Sequence, residues 1–240
     1  MRMRAVFSLS DRLRHAIAVF WSAAVLTAEA SAQFEGIVES KNLTTDETGK
    51  PQEFVMTMWI KKDMVRIETR GGTMPGSTMI YRTDKHKIWM LNDEEKTYFE
   101  ISQDEKPEEI FGGGSAEKYV VKRTGKTKTI AGYPCEQFLI KRSSEVTEVW
   151  GTKKLGFLAS AITKALGQEH FAVTEGPTAE MMKRGIYPLA SATKVEGSVI
   201  ESQEVTRIEA KVLDESLFTL PPEYTKQKSV DMMQGIDQQK

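Results

Sequence analysis

We expect the fold to be organised around residues 127–151, TKTIAGYPCEQFLIKRSSEVTEVWG. Two apolar runs rich in β-prone side chains flank the polar pair Ser143-Ser144, and the turn sequence Gly132-Tyr133-Pro134 precedes them. Runs of this kind separated by a short polar stretch predict a β-hairpin. We expect this hairpin to lie at the middle of a large antiparallel sheet, with the rest of the chain adding strands on either side.

Upstream of the hairpin, short β-prone runs alternate with polar turns. Residues 53–61, EFVMTMWIK, alternate with a period of two, so Met56 and Met58 share one face of a strand and Trp59 lies on the other. Both faces are largely apolar, which predicts a strand that is covered on both sides. The same reasoning predicts strands at residues 33–41, 64–69, 78–82, 87–91 and 97–101, and the runs 119–123 and 127–130 lead into the hairpin.

Downstream of the hairpin, the composition changes to a helical pattern. In residues 155–167, LGFLASAITKALG, the side chains of Leu155, Leu158 and Ile162 step by three and four residues and mark one apolar stripe, which Phe157 widens. A second short helix is predicted at 175–185. We therefore expect a helical insertion at about residues 153–185, followed by two more strands between 189 and 213.

The N-terminal 32 residues have the three parts of a cleavable secretory signal. Four arginines are followed by the apolar run AIAVFWSAAVLTA at residues 16–28, and Ala30-Ser31-Ala32 supplies small residues for cleavage after Ala32. We expect a periplasmic or secreted protein. Its domain would span residues 33–224, and residues 225–240 would form a flexible C-terminal tail.

Charge and cysteine content exclude several classes of protein. The whole chain has a net charge of −1, and residues 33–240 hold 29 basic and 32 acidic residues, with no basic cluster of the kind that nucleic-acid binders show. The single cysteine, Cys135, cannot form an internal disulfide. We interpret it as a small, partly buried thiol, with a mixed disulfide or a redox-sensitive site as alternatives.

No motif for catalysis or metal binding is present. The three histidines lie far apart in the sequence, and neither paired metal-ligand spacing nor a nucleophile elbow occurs. Carboxylates occur mainly in charged runs, which are usually solvated. We therefore expect a protein that is not an enzyme and has no metal or cofactor.

A resemblance adds to this picture. The segments TKTIAGYPCEQFLI and EVTEVWGTKKLG, then YPLASATKVEG and LDESLFTLPPEY, resemble a family of exported bacterial proteins catalogued as a domain of unknown function. That family is similar in fold to the periplasmic lipoprotein carriers, the LolA-like proteins. The resemblance implies a mainly β (α+β) fold: a single, strongly curved antiparallel sheet, or half-open barrel, with one or two helices covering its concave face.

These observations lead to one preferred function and one alternative. The preferred function is non-catalytic binding or carriage of an apolar ligand, such as a lipid or a lipoprotein acyl chain, between sheet and helix, with membrane contact that is at most peripheral. The alternative is an envelope scaffold or interaction module with a filled core, using the acidic residues 103–115. The predicted ligand-binding residues are apolar and belong to the strands and the helical insertion: Met56, Met58, Met90, Phe157, Leu158, Ile162 and Met181.

Overall fold

The computed structural model describes residues 34–46, 48–72, 76–102, 119–166 and 176–227. The predicted signal peptide, the acidic residues 103–115 and all but the first three residues of the predicted tail lie outside the described residues.

Strands dominate the described chain, as predicted. The strands are β1 (Glu35–Thr45), β2 (Pro51–Lys61), β3 (Met64–Gly71), β4 (Ser77–Arg82), β5 (Lys87–Asn92), β6 (Thr97–Ser102), β7 (Val120–Ile130), β8 (Tyr133–Arg142), β9 (Glu145–Thr152), β10 (Tyr187–Val195), β11 (Ser198–Ala210) and β12 (Thr225–Lys226). Two helices, α1 (Gly156–Leu166) and α2 (Gly176–Lys183), lie between β9 and β10. No helix in the described part of the chain is long and apolar enough to cross a membrane.

All twelve strands belong to one open sheet. Their order is β12-β6-β5-β4-β3-β2-β1-β11-β10-β9-β8-β7. Every neighbouring pair is antiparallel except β12 and β6, which run parallel. The sheet therefore consists of two meanders, β1–β6 and β7–β11, which join along β1 and β11.

The prediction that the hairpin of residues 127–151 lies at the middle of the sheet is wrong. Strands β7, β8 and β9 form it, but β7 is the last strand of the described sheet and β8 is its neighbour. The centre is instead the pairing of β1 with β11, which extends from Gly36 opposite Ala210 to Thr44 opposite Glu201. Local sequence marks hairpins, whereas a pairing between strands that are far apart in the chain leaves no local signal.

The sheet curves around α1. This helix contacts β2, β3 and β4 on one side of the β1–β11 seam and β10 on the other. In a flat sheet β4 and β10 would lie about 24 Å apart, at roughly 4.8 Å for each of five strand spacings. An 11-residue helix is only about 16 Å long. Contact with both sets of strands therefore requires the sheet to bend toward the helix, as the predicted curved sheet does.

The face toward the helices, here called the helix-covered face, carries the larger core. Strand register places Val38, Met58 and Ile67 in one row on this face. Val38 packs in one cluster with Leu158 and Ile162 of α1, all of them 3% exposed or less, and Met58 and Ile67 pack against that cluster. The helix stripe predicted from the three- and four-residue spacing is therefore the buried face of α1.

The opposite face is covered near one end by the C-terminal segment, residues 211–224. Leu213 and Phe218 of this segment are buried with Trp89 and Leu91 of β5. The carboxylate of Asp214 accepts a hydrogen bond from the Ser216 backbone N–H at 2.8 Å and so caps the 3₁₀ turn Glu215–Phe218. This second layer covers Trp59 of β2, whereas Val55 on the same face of that strand stays 42% exposed, so the predicted cover on both sides holds for only part of β2.

Candidate functional site

A cavity of about 350 Å³ lies between the two helices and the helix-covered face. Its volume is at the low end of the range for small-molecule pockets, roughly 300–1,000 Å³. Most of its lining comes from apolar side chains on five elements: Met56, Met58, Ile67, Ile162, Pro177, Met182, Tyr187 and Pro188. The cavity is therefore suited to an apolar group of modest size.

The strand pleat explains why these side chains meet. Met56 and Met58 are two residues apart on β2, so both point to the helix-covered face. Met58 stands opposite Ile67 on β3, and Ile67 stands opposite Met79 on β4. Cross-strand neighbours of this kind have Cβ atoms about 5 Å apart, which gives a continuous apolar wall. Thioether side chains can adapt this wall to irregular ligands.

One end of the cavity is polar. Thr147 of β9 and Thr193 of β10 stand opposite each other, and their hydroxyl oxygens are 3.0 Å apart in a hydrogen bond. Gln203 and Glu201 of β11 line the same end, and Glu201 is the one charged side chain among the described residues of the lining. An occupant with an apolar body and an uncharged polar end would match this arrangement.

Three of the predicted ligand residues line this cavity, and a fourth, Met90, does not. Met56, Met58 and Ile162 line it directly. Met90 lies on the helix-covered face one strand beyond Met79 and packs against the main core. The strand period therefore located one wall of the cavity from sequence alone.

The other three predicted ligand residues are placed differently. Leu158 is fully buried in the main core, and Phe157 is 51% exposed with its ring 5.9 Å from the ring of Phe34. Met181 is buried beside Phe138 in a separate cluster, and the adjacent Met182 lines the cavity instead. Sequence reasoning missed Met182 because the apolar pattern of this short helix does not separate two consecutive methionines.

A larger groove of about 820 Å³ lies on the opposite face, beyond the C-terminal segment. Lys41, Glu204 and Ala190 share one cross-strand row in it, and Glu148 and Arg70 also line it. Charges of both signs alternate along this surface. Among the described residues, six charged side chains line this groove, against one in the smaller cavity, so the smaller cavity is the better candidate for an apolar ligand.

Cys135 is buried, with 1% of its surface exposed, and its Sγ lies 3.4 Å from the backbone oxygen of Tyr133. Burial raises the pKa of this thiol, which disfavours the reactive thiolate. Both observations support a structural thiol over the mixed-disulfide and redox alternatives. In the described residues, no group of three or more histidine, cysteine and carboxylate side chains could hold a metal ion.

A family model named domain of unknown function DUF4412 matches residues 34–224. The chain belongs to this family. The match covers strands β1 to β11, both helices and the C-terminal segment, and it confirms the resemblance seen in the sequence. No curated protein matches the chain.

Solved structures similar to this DUF4412 protein cover most of its length at low identity. They include PNGF-II, at 16% identity over 84% of this chain with a TM-score of 0.39, and this chain spans only 32% of PNGF-II. A LolA superfamily protein from Nitrosomonas europaea is 9% identical over 79% of this chain and 91% of its own, with a TM-score of 0.35. A DUF1329 family protein from Desulfovibrio piger is 12% identical over 77% and 90%, with a TM-score of 0.30.

Proposed function

We propose that this protein is an exported, non-catalytic carrier that binds an apolar ligand, such as a lipid or the acyl chain of a lipoprotein. The observation that carries the proposal is the cavity between the helices and the sheet, with Met56, Met58, Ile162 and Met182 in its walls. The three-part N-terminal sequence supports export to the periplasm or beyond. Membership of DUF4412 is compatible with a binding role but specifies no ligand.

The size and lining of the cavity favour a single acyl chain over a larger lipid. The cavity volume, about 350 Å³, is small, and its polar end holds neutral hydroxyl and amide groups with one carboxylate. Binding would draw on burial of apolar surface, at roughly 25 cal/mol per Å². The threonine pair and Gln203 would orient a neutral polar group such as an ester.

Uptake of a fluorescent fatty acid by the purified protein tests this proposal, with two substitutions of adjacent residues. Met56→Glu places a charge in the wall of the cavity, whereas Val55→Glu places the same charge on the opposite face, where Val55 is 42% exposed. We expect Met56→Glu to weaken uptake at least tenfold, because the carboxylate must stay solvated. Val55→Glu should bind as the wild type does.

Two outcomes would overturn the carrier function. One is a wild-type protein that takes up no fatty acid and yields no lipid to organic solvent and mass spectrometry. The other is equal uptake by both variants, with thermal unfolding showing that both are folded. The scaffold alternative, in which the core is filled, predicts the first result.

A further inference from the structure

The charge of this protein is unevenly distributed over the sheet. Residues 119–156, which form β7, β8, β9 and the turn before α1, hold eight lysines and arginines against three glutamates. Residues 34–102 hold ten basic and twelve acidic residues, and residues 176–227 hold six and eight. Basic and acidic residues look interspersed along the whole sequence, but in the described strands an excess of basic side chains lies at one end of the sheet. A positive potential there would attract anionic partners.

Six of the cations lie on β7 and on the turn that follows β9, and we call them the basic edge: Lys122, Arg123, Lys126, Lys128, Lys153 and Lys154, all exposed. Lys128 among them lines the groove on the opposite face of the sheet. Four of them lie on β7 and two on the 3₁₀ turn Lys153–Leu155. A cleft of about 320 Å³ joins the two groups, because Arg123 lines it together with Lys153 and Lys154. Phe138 and Ile186 are apolar side chains in the lining of the same cleft.

Ion pairs among the described residues neutralise little of this charge. Arg123 forms an ion pair with Glu136, and Lys128 lies over the ring of Trp150 at 4.5 Å. The remaining lysines of the basic edge form no ion pair within the described ranges. They are available to a negatively charged partner.

A large apolar side chain lies beside the two lysines of the turn. The turn continues directly into α1, so Lys153 and Lys154 precede Phe157 by four and three residues. Helical neighbours at these spacings share a face. Leu155 and Leu158 form the buried stripe of this segment, whereas Lys154 and Phe157 are exposed on the other side.

Protection of a sheet edge does not account for this arrangement. Lysines on an outer strand prevent pairing with other chains, which would explain those on β7. Lys153 and Lys154 are not on β7, so protection of the sheet edge does not explain them. It does not explain the exposed Phe157 either, because an exposed aromatic side chain lowers solubility. Cations next to an exposed aromatic side chain are typical of surfaces that bind anionic membranes, where each cation adds roughly 1 kcal/mol of attraction.

We propose that the basic edge and Phe157 form a docking surface for an anionic lipid bilayer. The lysines would lie against lipid phosphates, and the ring of Phe157 would enter the boundary between headgroups and acyl chains. This docking goes beyond the proposed carrier function, because it requires no ligand in the cavity. Each can fail independently: vesicle binding reports on the surface, and fatty-acid uptake reports on the cavity.

A local probe tests the docking surface, because residues 1–32 are basic and apolar and could bind vesicles on their own. An environment-sensitive fluorophore is attached to Phe157→Cys in the full chain, and to Val212→Cys, which is 84% exposed in the C-terminal segment, as a control. Native Cys135 is buried and stays unlabelled in the folded protein. Vesicles are made of phosphatidylcholine alone or mixed with phosphatidylglycerol.

We expect the fluorophore emission at position 157 to shift to the blue only with vesicles that contain phosphatidylglycerol. The shift should disappear at about 1 M salt, because charges are then screened beyond about 3 Å. Position 212 should not shift. Combining the label with Lys153→Glu and Lys154→Glu should raise the lipid concentration for half-maximal shift roughly tenfold or more. The same charge change at exposed Lys50 and Lys211 should alter it less than about twofold.

Three results would overturn the proposal. The first is no shift at position 157 with anionic vesicles, as expected if the basic edge recruits an acidic protein instead. The second is an equal shift with phosphatidylcholine alone, which would indicate apolar adsorption. The third is an unchanged shift after the substitutions at Lys153 and Lys154.

Discussion

Glu100 on β6 is the residue through which charge links β12 to the rest of the sheet. Its Oε2 accepts a hydrogen bond from the indole N–H of Trp89 at 2.9 Å, and its Oε1 accepts from the ammonium groups of Lys226 at 2.9 Å and Lys87 at 3.1 Å. These donors favour the charged carboxylate and outweigh the opposing effect of burial. Together they lower the pKa of Glu100 to about 2.

Stability should therefore fall as the solution is acidified from about pH 5 toward pH 2. The pKa of Glu100 is lower in the folded chain than its ordinary value of 4.5, so its contribution is present above pH 4.5 and disappears as the folded carboxylate is protonated. We expect Glu100→Gln to lower the free energy of unfolding at pH 7 by about 1–2 kcal/mol, allowing for solvent screening. The difference should shrink toward pH 2.

Urea denaturation at a series of pH values measures this effect. Glu223→Gln, at an exposed position, serves as the control and should behave as the wild type. A difference between Glu100→Gln and wild type that is independent of pH would contradict the electrostatic explanation.

Among the elements, the C-terminal segment is fastened to the sheet by both packing and hydrogen bonds. The backbone oxygen of Phe218 accepts from Arg82 Nη1 at 3.1 Å, and that of Leu217 accepts from Arg66 Nη1 at 3.2 Å. Phe218 itself is fully buried. The segment therefore acts as a second layer of the fold over β2–β5.

Phe218→Ala should destabilise the whole protein. Removing a buried phenylalanine costs about 3–5 kcal/mol through lost burial and the cavity that remains. Val212→Ala, in the same segment but 84% exposed, should change the free energy of unfolding by less than about 0.5 kcal/mol. Denaturant unfolding followed by tryptophan fluorescence compares the two, and equal midpoints would show that the segment is not part of the cooperative unit.

The elements themselves could be predicted from local patterns. Period-two alternation located β2 and β3, and the apolar stripe located α1 within one residue at each end. Placement within elements was harder. The helical spacing adds Phe157 to the apolar stripe of α1, but in the structure Phe157 lies at the margin of the buried face and is exposed. Tertiary packing decides where the buried face ends, and the sequence pattern does not show it.

At the scale of the molecule, the seam between β1 and β11 holds the two meanders together. Gly36 on β1 has no room for a side chain: a Cβ atom there would lie 2.1 Å from the backbone oxygen of Glu209 on β11 and 2.7 Å from the ring of Phe34. Any larger residue must push the two strands apart at the point where the meanders meet.

Gly36→Ala should therefore destabilise both meanders at once, by about 2 kcal/mol or more. Gly76→Ala is the control, because a Cβ atom there would be in ordinary contact, 3.5 Å from the Thr69 oxygen. Thermal unfolding followed by circular dichroism should show a single transition at a lower midpoint for Gly36→Ala. An unchanged midpoint would mean that the seam is more compliant than its geometry indicates.

The global arrangement is the part that the sequence did not reveal. The hairpin of residues 127–151 has the clearest local signal, yet it lies at an edge, because strand order depends on the pairing of Ile37 with Glu209 and Val38 with Ile208. Nothing near these residues in the sequence indicates their partners. The candidate cavity forms because the sheet curves around α1. Its wall residues on β2 could be predicted from strand periodicity, but the arrangement of the elements around the cavity could not.

The pairing of β1 with β11 also dictates when a growing polypeptide can finish folding. Synthesis proceeds from the N-terminus, and about 150 residues separate the end of β1 from the start of β11. Throughout that interval the free edge of β1 can pair with other chains, since unpaired edges are templates for strand addition. A nascent chain thus stays vulnerable to aggregation until its last long strand, β11, has been synthesised. Pairing with β11 then covers the free edge of β1.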